Sequence, residues 1–137
     1  FQIASQTGIG VLDAAKEKGL YAIGVDGDQA AAFKDSDPGM AEVIVTSMMK
    51  RVDQSLLRAI KMAEDGSLPW GKTEVIGLKE LGVGIIYGEN FERELSEEKQ
   101  SMIKDIEQQI IDGKIEVESA LGMDTAEFEV IRNEVAP

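Results

Sequence analysis

The stretch that decides the fold is "LYAIGVDGDQ", Leu20–Gln29, in which an apolar run ends at two aspartates on either side of a glycine. Continuous hydrophobicity up to Val25 is typical of a strand in a parallel sheet that helices cover on both faces. Asp26 and Asp28 must then lie at a surface, because burying an unpaired carboxylate is costly. Either a polar turn or a site where the strand end meets a polar ligand would explain them.

The segment before this strand has the pattern of a βαβ unit. "FQIAS", Phe1–Ser5, predicts a strand, "QTGIG" a tight turn, and "VLDAAKEKG" a helix with Gly19 at its C-cap. Because Phe1 would begin inside a strand, where a terminus normally frays, we expect the chain to be a fragment of a longer protein. The sequence therefore predicts two parallel strands joined by a helical crossover.

The alternation of strands and helices continues beyond "DSDPG", which marks a loop. "EVIVTS" predicts a third parallel strand at about Glu42–Thr46, and the apolar spacing that follows predicts a helix from about Arg51 to Asp65. "TEVIGL" and "GVGIIYG" on either side of "KELG" predict a short hairpin. The fold class is thus α/β, a parallel sheet with flanking helices.

The last third of the chain predicts helices. A long acidic amphipathic helix is expected over 96–113, with Ser96 as its N-cap and Gly113 at its end. We expect one apolar face of this helix to be buried as ordinary core, namely Met102, Ile103, Ile106, Ile110 and Ile111. One more short helix is predicted after Asp124 or Thr125.

Composition excludes several classes of function. The 137 residues suffice for one domain with a core, and no apolar run approaches the roughly 20 residues that span a bilayer. A net charge of -12 would repel nucleic acid and anionic lipid. Without cysteine or histidine, the chain lacks disulfides, thiolate metal ligands and the commonest general base. We therefore expect no metal, no cofactor, no nucleic-acid partner and no enzyme activity.

Two motifs come close to known binding sites without matching them. "TGIGVLD", with Asp26 about twenty residues after its strand, approaches a dinucleotide-binding fingerprint, but Asp13 replaces the third glycine. That carboxylate would lie near the incoming phosphates. "DGDQAAAFKDSD" opens like a calcium-binding loop but has Ala30, Ala31 and Asp37 where an oxygen ligand, a glycine and a glutamate are needed. Asp28 fits better as the N-cap of "QAAAF".

Two blocks of the sequence carry a family resemblance. "FQIASQTGIGVLDAAKEKGLYAIGVDGDQ" and "VIVTSMMKRVDQSLLRAIK" resemble the second half of the basic-membrane-protein family, purine-nucleoside-binding lipoproteins that serve ABC transporters. The resemblance extends over roughly Phe1 to Val117. It implies the C-terminal part of a two-lobed periplasmic-binding-protein fold of type I, which closes on a nucleoside at the hinge between its lobes.

The resemblance also implies a set of ligand contacts. Asp26 would accept hydrogen bonds from the ribose hydroxyls, Lys50 would donate to ribose oxygens, and Thr7 and Gly8 would lie in the glycine-rich turn. Where the family usually has Gly-Gly, this chain has "SQ", at positions 5 and 6. The base-stacking aromatic residues of the family would lie in the amino-terminal half, outside this chain.

Domain organisation and partners follow from the same resemblance. Residues 1–46 would lie mostly in one lobe, and about 51–78 would cross to the other, while 118–137 would be an extension of unknown role. The expected partners are a nucleoside, an ABC permease and the amino-terminal half of the same protein, with self-association through the exposed face of the 51–65 helix. The location would be extracytoplasmic, with the anchor outside this chain.

Two other functions remain open at this point. The fold could serve as a regulatory or interaction domain without a transport role, because fold does not fix function. A dinucleotide-binding enzyme domain is the third interpretation.

Overall fold

The computed structural model describes residues 1–4, 6–117, 119–120 and 122–135. Helices and strands alternate in the first half and helices dominate the second. In chain order the elements are α1 (Thr7–Lys18), β1 (Ala22–Asp26), α2 (Gln29–Phe33), α3 (Pro38–Val43), β2 (Ile44–Lys50), α4 (Val52–Glu64), β3 (Val83–Ile85), α5 (Glu89–Glu94), α6 (Glu97–Ile111) and α7 (Thr125–Val135). The α/β class is confirmed.

The sheet has the strand order β1-β2-β3 and is mixed rather than wholly parallel. β1 and β2 run parallel, with Asp26 beside Met49, and β3 is antiparallel to the end of β2, with Lys50 beside Val83. The prediction of parallel pairing is correct for "LYAIGV" and "EVIVTS". The strand predicted within "GVGIIYG" is present as β3, but its antiparallel pairing with β2 was not predicted.

The predicted strand Phe1–Ser5 is wrong for residues 1–4, and Ser5 lies outside the described residues. The local cause is Gln2, whose side-chain Oε1 accepts a hydrogen bond from the backbone N–H of Ala4 at 2.9 Å. This short loop takes up a donor that a strand would offer to its neighbour. The predicted turn "QTGIG" is likewise the start of α1, which begins at Thr7.

The third strand begins two residues later than predicted, because α3 occupies Glu42 and Val43. Asp37 caps α3 by accepting from the N–H of Met40 at 3.0 Å, and Pro38 favours the first helical turn. A hydrogen bond from Lys16, together with these backbone contacts, lowers the pKa of the Asp37 carboxyl and ties α1 to α3.

The predicted hairpin is also wrong. Residues 74–78 form no strand, whereas 83–85 pair with the end of β2. Glu80 explains part of this difference, because its carboxylate accepts from the N–H of Gly77 at 2.9 Å and closes a local turn. The same backbone hydrogen bond lowers the pKa of Glu80.

The main core lies between α1, α3 and the two parallel strands. It consists of Leu12, Ala15, Ala22, Met40 and Ile44, with Ala30, Phe33 and Val43 packed against it. α1 ends as predicted at Gly19, whose φ of 62° is the left-handed conformation that glycine adopts readily. This core holds the starts of β1 and β2, and the parallel pairing of the two strands brings their carboxyl ends side by side.

α5 packs against the start of β2 through two neighbouring residues. The side-chain amide of Asn90 donates to the backbone oxygens of Ala41 and Ile44, each at 2.8 Å. Phe91 is buried, and the Tyr87 ring meets its ring edge-on with centroids 5.1 Å apart. Burial raises the pKa of Tyr87 to about 12, and the hydrogen bond from the Tyr87 hydroxyl to the Glu107 carboxylate acts in the same direction.

The long helix is confirmed, with Ser96 accepting from the N–H of Lys99, but its apolar face is not buried as predicted. Met102 is 58% exposed and Ile106 41% exposed, because α6 packs chiefly on α5. The predicted helix over 51–65 is confirmed as α4, and the one after Asp124 as α7. The α4 face consisting of Val52, Leu56, Leu57 and Ile60 is also exposed.

Within the part of the chain that the structure describes, no helix has both the length and the apolar composition that crossing a bilayer requires.

Candidate functional site

Two charged side chains predicted to bind ligand meet at the carboxyl ends of β1 and β2. The Nζ atom of Lys50 lies 3.0 Å from Oδ1 of Asp26, and the two side chains are 61% and 60% exposed. Parallel strands end at the same edge of a sheet, and ligands of open α/β sheets bind at that edge. An exposed ion pair adds little to stability. The arrangement therefore offers a carboxylate acceptor and an ammonium donor to an external polar molecule.

The backbone at Asp26 has an uncommon conformation. Its φ is 67°, in the left-handed region, and the N–H of Gly27 donates to the backbone oxygen of Val25 at 2.9 Å. A hydrogen bond between residues i and i+2 around a positive φ forms a γ-turn of the rare, strained kind. Such strain is concentrated at binding and catalytic sites. The tight turn directs the chain away from the sheet immediately after the carboxylate.

This strain predicts a difference between two substitutions that remove the same carboxylate. Asp26→Gly should be more stable than Asp26→Ala by about 1 kcal/mol, because only the alanine has a Cβ in the left-handed conformation. Urea unfolding of the two variants measures the difference. Equal unfolding midpoints would show that the positive φ of Asp26 is not strained.

The other predicted contacts, Thr7 and Gly8, lie in the first turn of α1. Thr7 is exposed, and its backbone N–H donates to the oxygen of Ala4 at 3.1 Å. Gly8 is buried under the side chain of Gln2, so that a Cβ added at Gly8 would lie 1.8 Å from Gln2 Oε1. Packing thus explains this glycine.

A buried polar cluster that the sequence reasoning missed lies beneath the site. Gln2 and Ser47 are 4% and 1% exposed. The Oε1 of Gln29 accepts from the N–H of Val25 at 3.0 Å and lies 3.5 Å from Nε2 of Gln2, while the N–H of Gln29 donates to Ser47 Oγ at 3.2 Å. Through this cluster the start of α1 is linked to β1 and β2. The sequence did contain a sign of this cluster, because Gln2 and Ser47 are polar residues within the apolar segments "FQIAS" and "VIVTSMM".

Asp28 has the structural role predicted for it. Its side chain accepts from the N–H of Ala31 at 3.0 Å and caps α2. It therefore serves as a matched control for Asp26, because the two aspartates are two positions apart but only Asp26 forms the ion pair with Lys50.

A pronounced concavity lies elsewhere. It is an open groove of about 490 Å³ that lies between α2, α3, the start of β2 and α5, with Ile44, Val45 and Ile86 among its apolar residues and Lys34 and Arg93 among its cations. Neither Asp26 nor Lys50 borders it. We locate the candidate site at the ion pair nonetheless, because ligands of open α/β sheets bind beyond the carboxyl ends of the strands. Among the described residues, no group of three or more acidic side chains could hold a metal ion.

Comparisons with known proteins identify the family of the chain. The family model of PnrA-like ABC transporter substrate-binding proteins, called Bmp, matches residues 1–120. "Basic membrane protein D" of Borreliella burgdorferi (strain JD1) is 40% identical over an alignment of 121 residues, and the match covers 85% of this chain and 33% of that protein. The resemblance predicted from the two sequence blocks is therefore confirmed.

A solved structure shares the fold. It is described as "Crystal structure of ABC transporter system solute-binding proteins from Aeropyrum pernix K1" and matches with a TM-score of 0.69 at 24% identity. The match covers 96% of this chain and 42% of that one. The chain thus spans about a third of the curated relative and less than half of the solved structure. It belongs to the Bmp family of PnrA-like ABC transporter substrate-binding proteins.

Proposed function

We propose that this chain forms one wall of a cleft that binds a purine ribonucleoside, in the solute-binding component of an ABC importer. The observation that carries the proposal is the exposed pair of Asp26 and Lys50 at the ends of two parallel strands. The family membership supports the transport role, and the fold of the Aeropyrum protein supports the two-lobed architecture.

The chemistry of the pair suits the sugar of a nucleoside. A carboxylate can accept hydrogen bonds from two neighbouring hydroxyls, and an ionised acceptor makes each bond stronger than a neutral one does. Lys50 neutralises Asp26 and has further N–H donors for ribose oxygens. Thr7 and the backbone at Gly8 would complete this side of the site, with Gln6 in place of a glycine in the preceding turn. No step of bond breaking is required of any of these residues.

The second wall would come from an amino-terminal lobe. The exposed apolar face of α4 supports this, because large apolar patches are uncommon on soluble monomers, and residues 51–78 would then belong with that lobe. The whole protein would act outside the cytoplasm, deliver its ligand to a permease and be held at the membrane by an anchor outside residues 1–137.

Calorimetry on the complete gene product that contains residues 1–137 tests the ligand. Inosine should bind, and 2′-deoxyinosine should bind about 10- to 150-fold more weakly, because it lacks one hydroxyl that donates to a charged acceptor. Free ribose should bind more weakly still, since it offers no base to the second lobe. Equal affinities for inosine and deoxyinosine would contradict the role of Asp26, and preference for a peptide or a bare sugar would contradict the nucleoside.

A further inference from the structure

Gln29 bridges the two strands whose ends carry the candidate site, with its side chain bonded to β1 and its backbone N–H bonded to β2. Its Oε1 atom accepts from the N–H of Val25 at 3.0 Å, and its backbone N–H donates to Ser47 Oγ at 3.2 Å. Val25 immediately precedes Asp26, and Ser47 lies three residues before Lys50. The two hydrogen bonds therefore fix both strand ends close to the charged pair.

Close packing leaves this bridge little freedom. A Cβ added at Gly24 would lie 2.3 Å from Ser47 Oγ and 2.9 Å from Gln29 Oε1, so the two polar atoms occupy the space that a side chain would take. The Nε2 atom of Gln2 also lies 3.5 Å from Oε1 of Gln29. β1 is an edge strand of the sheet, where backbone donors have fewer strand partners. The side-chain oxygen of Gln29 supplies an acceptor for the N–H of Val25, the first residue of the γ-turn.

We propose that Gln29 is a positioning residue, which holds the γ-turn at Asp26 so that its carboxylate is presented to the ligand beside Lys50. Gln29 need not touch the ligand itself. This inference rests on the proposed function, because it assumes that Asp26 binds the ribose. It assigns to the half-buried amide of Gln29 a role that the ion pair of Asp26 and Lys50 alone does not explain.

A pair of variants of similar length separates positioning from packing. Gln29→Met fills similar space without an acceptor, whereas Gln29→Glu keeps an oxygen that can accept from Val25 N–H. In the complete gene product, Gln29→Met should weaken inosine binding about tenfold and 2′-deoxyinosine binding only about threefold, because the deoxynucleoside has one of the two hydroxyls that donate to Asp26, so that the preference for the ribonucleoside falls. Gln29→Glu should restore most of that preference. If Gln29→Met does not fold, Gln29→Asn tests the same point, because its amide is one methylene too short to reach Val25.

A double-mutant cycle with Asp26→Ala completes the test. On that background Gln29→Met should cause no further loss of inosine affinity. An equal loss for both nucleosides, present with or without Asp26, would show a merely structural role and overturn the inference, as would unchanged selectivity in Gln29→Met. If Asp26→Ala itself leaves inosine binding unchanged, the proposed function fails first, which distinguishes that failure from the failure of the positioning role.

Discussion

Asp26→Ala should weaken the binding of a purine ribonucleoside to the complete gene product by about 30- to 1000-fold. The substitution removes a charged acceptor and leaves two ligand hydroxyls without their partner in a closed cleft, which costs on the order of 2–4 kcal/mol. It also frees Lys50, whose Nζ lies 3.0 Å from the carboxylate. Calorimetry with inosine measures the loss directly.

The control for this experiment is Asp28→Ala, two residues away. The carboxylate of Asp28 accepts from the N–H of Ala31, so its removal should lower the free energy of unfolding by about 1 kcal/mol through the lost helix cap. Inosine affinity should change by no more than about threefold, since a cap contributes nothing to the ligand. If Asp26→Ala and Asp28→Ala lost the same affinity, the negative charge of this surface as a whole, and not the pair of Asp26 and Lys50, would attract the ligand.

Phe91→Ala should lower the free energy of unfolding of the chain by about 3–5 kcal/mol. Phe91 is 1% exposed, and its ring meets the edge of Tyr87. Its removal leaves a cavity between α5 and the neighbouring strand β2, where Asn90 holds the backbone of Ala41 and Ile44. Because domains of this size have only about 5–15 kcal/mol of stability, a large share of the total would be lost.

Phe128→Ala is the matched control in α7. The Phe128 ring is 45% exposed, and the gain in helix propensity from phenylalanine to alanine is similar in both helices. Its cost should therefore be about 1 kcal/mol or less, and urea unfolding of both variants gives the comparison. Similar losses in the two variants would show that α5 does not contribute a packed part of the core.

The sequence was informative wherever local pattern and tertiary environment agreed. β1, the capped helix α6 and the glycine at the end of α1 follow from apolar periodicity and capping rules. Asp26 and Lys50 could be paired because two parallel strands necessarily end at one edge. The family resemblance supplied the reason to choose this lysine over an ordinary solvated one.

Other features depended on contacts that a pattern does not encode. The apolar residues of "FQIAS" have the composition of a strand, yet Gln2 turns inward and bonds Ala4. "TEVIGL" reads as a strand, yet Glu80 closes a turn on Gly77 and leaves β3 to pair with β2. The positive φ of Asp26 was equally hidden, because aspartate adopts both strand and left-handed conformations.

The crowding at Gly24 restricts how this protein can change over evolutionary time. A first step to alanine at this position would drive a methyl group into Ser47 Oγ, which lies 2.3 Å from where that carbon would be. Loss of the hydroxyl at Ser47 would have to come first, and with it the partner of the Gln29 backbone. We expect homologous proteins to keep Gly24, Ser47 and Gln29 together or to replace them together. The order in which such substitutions occur would then decide whether the carboxyl end of β1 keeps its conformation.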